Sequence, residues 1–174
     1  MNFENIDYLQ KGTPQQKAVY TLLTKHQILI KLQAYDPMLV GTIPLNIAIE
    51  GSDLDIICYF EDESAFVKTI LDNFGDKKNF HFTGSLPPKP PLVVASFYIE
   101  DYEVEIYGEN TPVRQQFGYR HLLVEYQLLA LYGEDFRQQI IALKKQGLKT
   151  EAAFAQALQL DGDPYTALLQ FEGE

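Results

Sequence analysis

Residues 41–60 read GTIPLNIAIEGSDLDIICYF, and the parsing of the second half of this stretch decides the fold. Leu54 to Phe60 is rich in isoleucine and aromatics and reads as a strand. In a strand, residues two apart share a face. Asp53 and Asp55 therefore project together, while Leu54 and Ile56 turn into the core. Two carboxylates held that close repel each other, so one is pushed toward protonation unless a cation lies between them. The plainer alternative is a solvated strand end. A dozen positions upstream of Asp53, Gly41-Thr42 closes the short apolar run Met38-Leu39-Val40. Glycine leaves the backbone uncovered and Thr42 adds a hydroxyl, a pairing suited to a phosphate met by backbone N–H groups.

Outward from this stretch, Thr13-Pro14 predicts a helix start, a hydroxyl cap followed by proline where its missing N–H costs nothing. Val19, Leu22, Leu23, Ile28, Leu29 and Leu32 continue an apolar stripe at helical spacing, with a break near His26 and a stop at Asp36-Pro37. Residues 63–74 predict a helix with Phe66, Val67, Ile70 and Leu71 on one side and Gly75 as its C-terminal stop. Strands are expected at about 79–86 and 92–100, separated by PPKPP, and at Tyr102–Tyr107 after a tight Glu100-Asp101 hairpin. From Thr111-Pro112 the chain reads as helical, with further starts at Thr150 and Asp163-Pro164, and with Gly147 ending a helix. The tail's apolar residues Leu122, Leu123, Tyr126 and Leu129 are expected to pack on the sheet. The order predicts an α+β fold, a mixed or antiparallel sheet flanked by helices. Residues 1–110 form its core and residues 111–174 a helical C-terminal extension packed on it.

The chain has 174 residues, 46% of them hydrophobic, enough for a real core. Twenty-four acids against fourteen bases give a formal charge of −10. That charge repels phosphate backbones and argues against nonspecific nucleic-acid binding. Lys77-Lys78 and Lys144-Lys145 read as solvated surface. Cys58 is the single cysteine. It lies within Ile56-Ile57-Cys58-Tyr59-Phe60, so a buried, inert thiol is expected, in keeping with a reducing cytosol. Neither an export signal nor a membrane span is indicated, and a cytoplasmic location is expected. His26 and His81 belong to no cluster with zinc-ligand spacing, and no serine stands in a G-x-S-x-G context.

A second strand repeats the alternation. Tyr102-Glu103-Val104-Glu105-Ile106-Tyr107 presents Glu103 and Glu105 on one face. A third carboxylate from another strand is what a hard cation needs, because Mg²⁺ takes oxygen ligands at short distance. Taken together, Val40-Gly41-Thr42, Ser52-Asp53-Leu54-Asp55-Ile56 and Val104-Glu105-Ile106 resemble the nucleotidyltransferase superfamily of polymerase-β type. More narrowly, LVGTIPLNIAIEGSDLDIICYF, VVASFYIEDYEVEIYG, YRHLLVEYQLL, GLKTEAAFA and GDPY resemble a bacterial family known only as a domain of unknown function.

The wider resemblance implies transfer of a nucleotidyl group from a nucleoside triphosphate to an unidentified acceptor, with Mg²⁺ or Mn²⁺ as cofactor. Carried over residue by residue, it makes Asp53, Asp55 and Glu105 the metal ligands and catalytic acids, with Glu103 in reserve for Glu105. It sets Gly41, Thr42 and Ser52 beside the phosphates. Transferases of this type often carry a base soon after the glycine pair. Here Ile43-Pro44-Leu45-Asn46 is neutral and no base stands between Lys31 and Lys68. Triphosphate charge would then be met by Lys89, or by Arg114, Arg120 and His121. The alternatives are a non-catalytic nucleotide-binding or regulatory module on the same scaffold, and a structural α+β domain whose acids are only surface.

Overall fold

The computed structural model describes residues 2–84 and 90–172. Helix α1 (Pro14–Lys25) opens with a reciprocal capping box. Thr13 Oγ1 accepts from the Gln16 N–H at 3.3 Å, and Gln16 Oε1 accepts from the Thr13 N–H at 3.0 Å. It ends at His26, where Gln27 turns left-handed before the single turn of α2 (Ile28–Lys31). Strand β1 (Met38–Val40) runs into Gly41 at φ +75°, and a short helix, α3 (Thr42–Leu45), follows. The sequence reading assigned no helix there. Pro44 lies within the first turn, where its missing N–H breaks no ladder. Strand β2 (Leu54–Tyr59) leads to α4 (Glu63–Phe74), capped by Asp62 Oδ1 accepting from the Ala65 N–H at 3.1 Å. Gly75 does follow this helix, but in a right-handed conformation rather than as a left-handed terminator.

Strands β3 (Lys78–Gly84), β4 (Leu92–Ile99) and β5 (Tyr102–Glu109) complete a five-stranded sheet ordered β1-β2-β5-β4-β3. β4 and β5 form the expected hairpin, with Ile99 opposite Tyr102. β2 and β5 run parallel, and the other three pairings are antiparallel. The sheet is mixed. Lys89 and most of the PPKPP turn lie outside the described residues.

Alternation along the strands builds two cores. Leu54, Ile56 and Cys58 of β2 join Val104 and Ile106 of β5 beneath Phe66, Ile70 and Phe74 of α4 and Leu22 and Leu23 of α1. Each such side chain, fully buried, contributes roughly 1.5–3 kcal/mol. Packing here is close enough to dictate a glycine: a Cβ on Gly108 would lie 2.3 Å from the Phe66 ring. On the opposite face, Met38, Val40 and Ile57 pack with helices from the tail. These are α5 (Phe117–Lys145), broken at Gly133 with φ +77°, then α6 (Thr150–Leu158) and α7 (Pro164–Leu168). Leu122, Leu128, Phe154 and Leu168 supply their share of that second core. Among the described residues, no helix is long and apolar enough to cross a membrane.

Candidate functional site

The second face is only partly covered. Where β2 and β5 begin, a cavity of about 760 Å³ opens between the sheet and the tail helices. Asp53, Asp55 and Glu105 line it from the sheet, and Asp55 lies opposite Glu105 in the parallel register. The i, i+2 alternation of two strands thus brings the three acids onto one wall. The reserve candidate, Glu103, does not line the cavity and accepts a hydrogen bond from Tyr98 Oη at 3.0 Å.

The acids strain one another. Burial pushes the Asp55 carboxyl up to about 7, and Asp53, Glu105 and Glu151 push the same way, with Lys144 opposing. Glu105 is raised by burial first, then by Asp53 and Glu103, with Lys149 opposing. Among the described residues, no three Asp, Glu, His or Cys side chains form a ready cage for a metal ion. The donor chemistry is nonetheless that of a hard cation, all carboxylate oxygen, and a cation is what would relieve the repulsion.

Gly41 has a specific task at this wall. A Cβ there would stand 2.1 Å from Asp55 Oδ2, so glycine leaves room for the carboxylate. Its left-handed φ also disfavours any other residue. Thr42 lines the cavity too, its hydroxyl oxygen buried and without a hydrogen-bond partner. Ser52 lines the rim, but its Oγ accepts from the Ile49 N–H at 3.0 Å and fastens its own turn.

Of the bases expected from the tail, His121 reaches the cavity and the two arginines do not. Arg114 is paired with Glu4 and, at 3.1 Å, with Asp36. Arg120 is paired with Glu172 at 2.6 Å and lies over the Phe117 ring. Neither lines the cavity. The bases that do are Lys144, Lys149 and His121. Lys144, expected at the solvated surface, is only 6% exposed, and its Nζ donates to the Ile47 carbonyl at 3.1 Å. Burial lowers its pKa against Glu125, Asp55, Asp53 and Glu151, all of which favour its charge. His121 is buried, with Nε2 2.8 Å from the Tyr165 carbonyl oxygen and Nδ1 3.9 Å from Glu151.

Beyond His121, sequence reasoning missed what the tail contributes, Glu125, Lys144, Lys149 and Glu151. Its apolar stripe was drawn through Leu122, Leu123, Tyr126 and Leu129, whereas the buried face runs through His121, Leu122, Val124, Glu125, Leu128 and Leu129. The signal was present: Glu125 stands three residues after Leu122 and three before Leu128, on the apolar side of the helix.

An acid-bearing mixed sheet of this topology, clasped by helices, is the nucleotidyltransferase-like fold. It is shared with the GLD-2/RNP-8 complex at 17% identity and TM-score 0.55, over 90% of this chain and 63% of that one. It is also shared with Cid1, an RNA terminal uridylyl transferase, at 9% identity and TM-score 0.55, over 80% and 45%. A structure of the Cid1 poly(U) polymerase bound to MgATP aligns at 10% identity and TM-score 0.56, over 87% and 49%. This chain therefore spans less than two thirds of these proteins, and identities this low speak for the fold alone. Residues 21–171 match the family described as Domain of unknown function (DUF4269), and the chain belongs to that family. Comparison with curated proteins gives no match.

Proposed function

We propose that this protein is a metal-dependent nucleotidyltransferase, moving a nucleotidyl group from a nucleoside triphosphate to a hydroxyl acceptor. One observation carries the reading: Asp53, Asp55 and Glu105 line one cavity wall, with Asp55 forced toward protonation there. These three would hold Mg²⁺ or Mn²⁺, which when bound supplies Lewis-acid stabilisation of phosphoryl oxygens. Lys144 and Lys149 are the cations available to the triphosphate, and the unpartnered Thr42 hydroxyl is free to donate to a phosphate oxygen. Glu105 would accept a proton. The acceptor hydroxyl gives its proton to Glu105, and its oxygen bonds to the α-phosphorus. The bond from that phosphorus to the β-bridging oxygen breaks, and pyrophosphate leaves.

The test is thermal denaturation with each of the four common triphosphates, in Mg²⁺ or Mn²⁺. A triphosphate with metal should raise the melting temperature more than either alone. At about 100 times Kd the stabilisation is roughly 2.7 kcal/mol, easily seen. No shift with any combination would overturn the reading. A shift without transfer to any acceptor would leave a nucleotide-binding module, the second reading, which the unclosed set of acids favours.

A further inference from the structure

We propose that the tail-helix wall of the cavity, centred on Glu125 and Gln116, binds a small molecule through a primary ammonium group. The orphaned atoms on that wall are all of one kind. Gln116 is 2% exposed and spends both Nε2 hydrogens on carbonyls, those of Cys58 at 2.9 Å and Thr111 at 2.7 Å. The two carbonyl partners fix the orientation of its amide, so the remaining Oε1 is an acceptor. That atom is buried and has no partner. Glu125 is 3% exposed, lines the same cavity two helical turns further along, and its Oε1 is likewise buried and unpartnered. A buried polar atom left unpaired costs about 1–3 kcal/mol, more when charged. The two stand about 13 Å apart along the helix axis, so the ammonium meets Glu125 and a second donor of the same molecule meets Gln116.

Charge selects which donor. Burial holds the Glu125 carboxyl well above the usual carboxylate range, Glu151 of α6 pushes the same way and Lys144 of α5 opposes, so a further cation beside it would favour its ionised form. Lys144 favours an ionised Glu125 but donates to the Ile47 carbonyl, and Glu125 Oε1 stays unpartnered. Glu109 and Glu50 add further acid to the lining. An ammonium supplies three N–H donors and a positive charge to such a wall. A phosphate supplies neither. The chain's −10 charge likewise argues against a long polyanion as occupant. As a binding site the wall stands by itself. That its ligand is the acceptor of nucleotidyl transfer rests on the reading above.

The probe is 1,4-diaminobutane, with 1,4-butanediol as the neutral compound of the same shape, titrated calorimetrically at neutral pH without nucleotide or metal. The diamine should bind at least tenfold more tightly than the diol. Glu125→Gln, which keeps the shape and removes the ionisable carboxyl, should weaken it about tenfold or more. Glu151→Gln, at a less buried position, should weaken it several-fold and serves if the first variant does not fold. No diamine binding, equal binding of the diol, or binding unchanged in every folded variant would overturn the inference. Diamine binding without a metal–triphosphate shift would keep this site and remove the transferase reading. The opposite result would do the reverse.

Discussion

The two faces of the sheet share the same strands and differ in nearly everything else. From β2, Leu54, Ile56 and Cys58 point into a closed core, and all are fully buried. The residues between them, together with Asp53, point the other way, where Asp55 is half-buried beside Glu105. Helices α1 and α4 seal the first face with aromatic and aliphatic side chains. The tail helices cover the second face incompletely and bring Glu125, Lys144 and Glu151 to it. One face has little in it but packing. The other concentrates like charges that the fold would be more stable without. A one-residue slip of β2 would exchange them, sending both aspartates into the core, so the closed face fixes the register on which the open face depends.

The largest effect should come from breaking the closed face. Phe66 is fully buried, stacks on Phe60 at 5.1 Å and covers Gly108. Phe66→Ala should cost about 3–5 kcal/mol in urea unfolding, and a cost near zero would show that this face does not hold the fold. On the open face, Asp55→Asn should leave the protein folded and weaken Mn²⁺ binding about 100-fold, roughly 2.7 kcal/mol by titration. Retained affinity would remove Asp55 from the cation site.

Acidity sharpens the contrast further. A cation needs the ionised Asp55, whose carboxyl titrates at about 7. Mn²⁺ affinity should therefore rise about tenfold per pH unit below that value and level off above it. A flat profile from pH 5 to 8 would exclude the coupling. A further effect concerns the metal-free protein. Asp55 holds its proton more tightly folded than unfolded, so between about pH 4 and 7 the folded state binds the extra proton, and stability falls as pH rises through that window. Asp55→Asn removes the penalty. It should match the parent near pH 4, gain about 1.4 kcal/mol on it per pH unit through the window, and exceed it by a few kcal/mol above pH 7 in chelator. A variant destabilised equally with and without metal would mean that the carboxylate holds the fold instead.

Much of this was legible in the sequence because it is local. The Thr13 cap, the Glu100-Asp101 hairpin and the acid alternation on β2 and β5 follow from neighbouring residues. What escaped is tertiary. Arg114 finds Glu4 and Asp36, and Arg120 finds Glu172, partners far away in the chain that no local pattern announces. Lys144 resembles any surface lysine until α5 returns it to the Ile47 carbonyl. The break at Gly133 was hidden because apolar residues continue on both sides of it. The α3 turn, anchored by a left-handed glycine, is too short to carry a periodic signal.

The parallel pairing of β2 with β5 also sets an order of events. β4 and β5 are joined by a two-residue turn and can zip together early. β2 is made long before β5 but can dock only once that hairpin exists, and such non-local pairings come late. During synthesis, the strand bearing Asp53 and Asp55 therefore emerges well ahead of Glu105. Until the sheet closes, the two aspartates face solvent with no third acid opposite them. Any capacity to hold a cation on this wall arises in that one closing step, at the same moment as the repulsion among the acids.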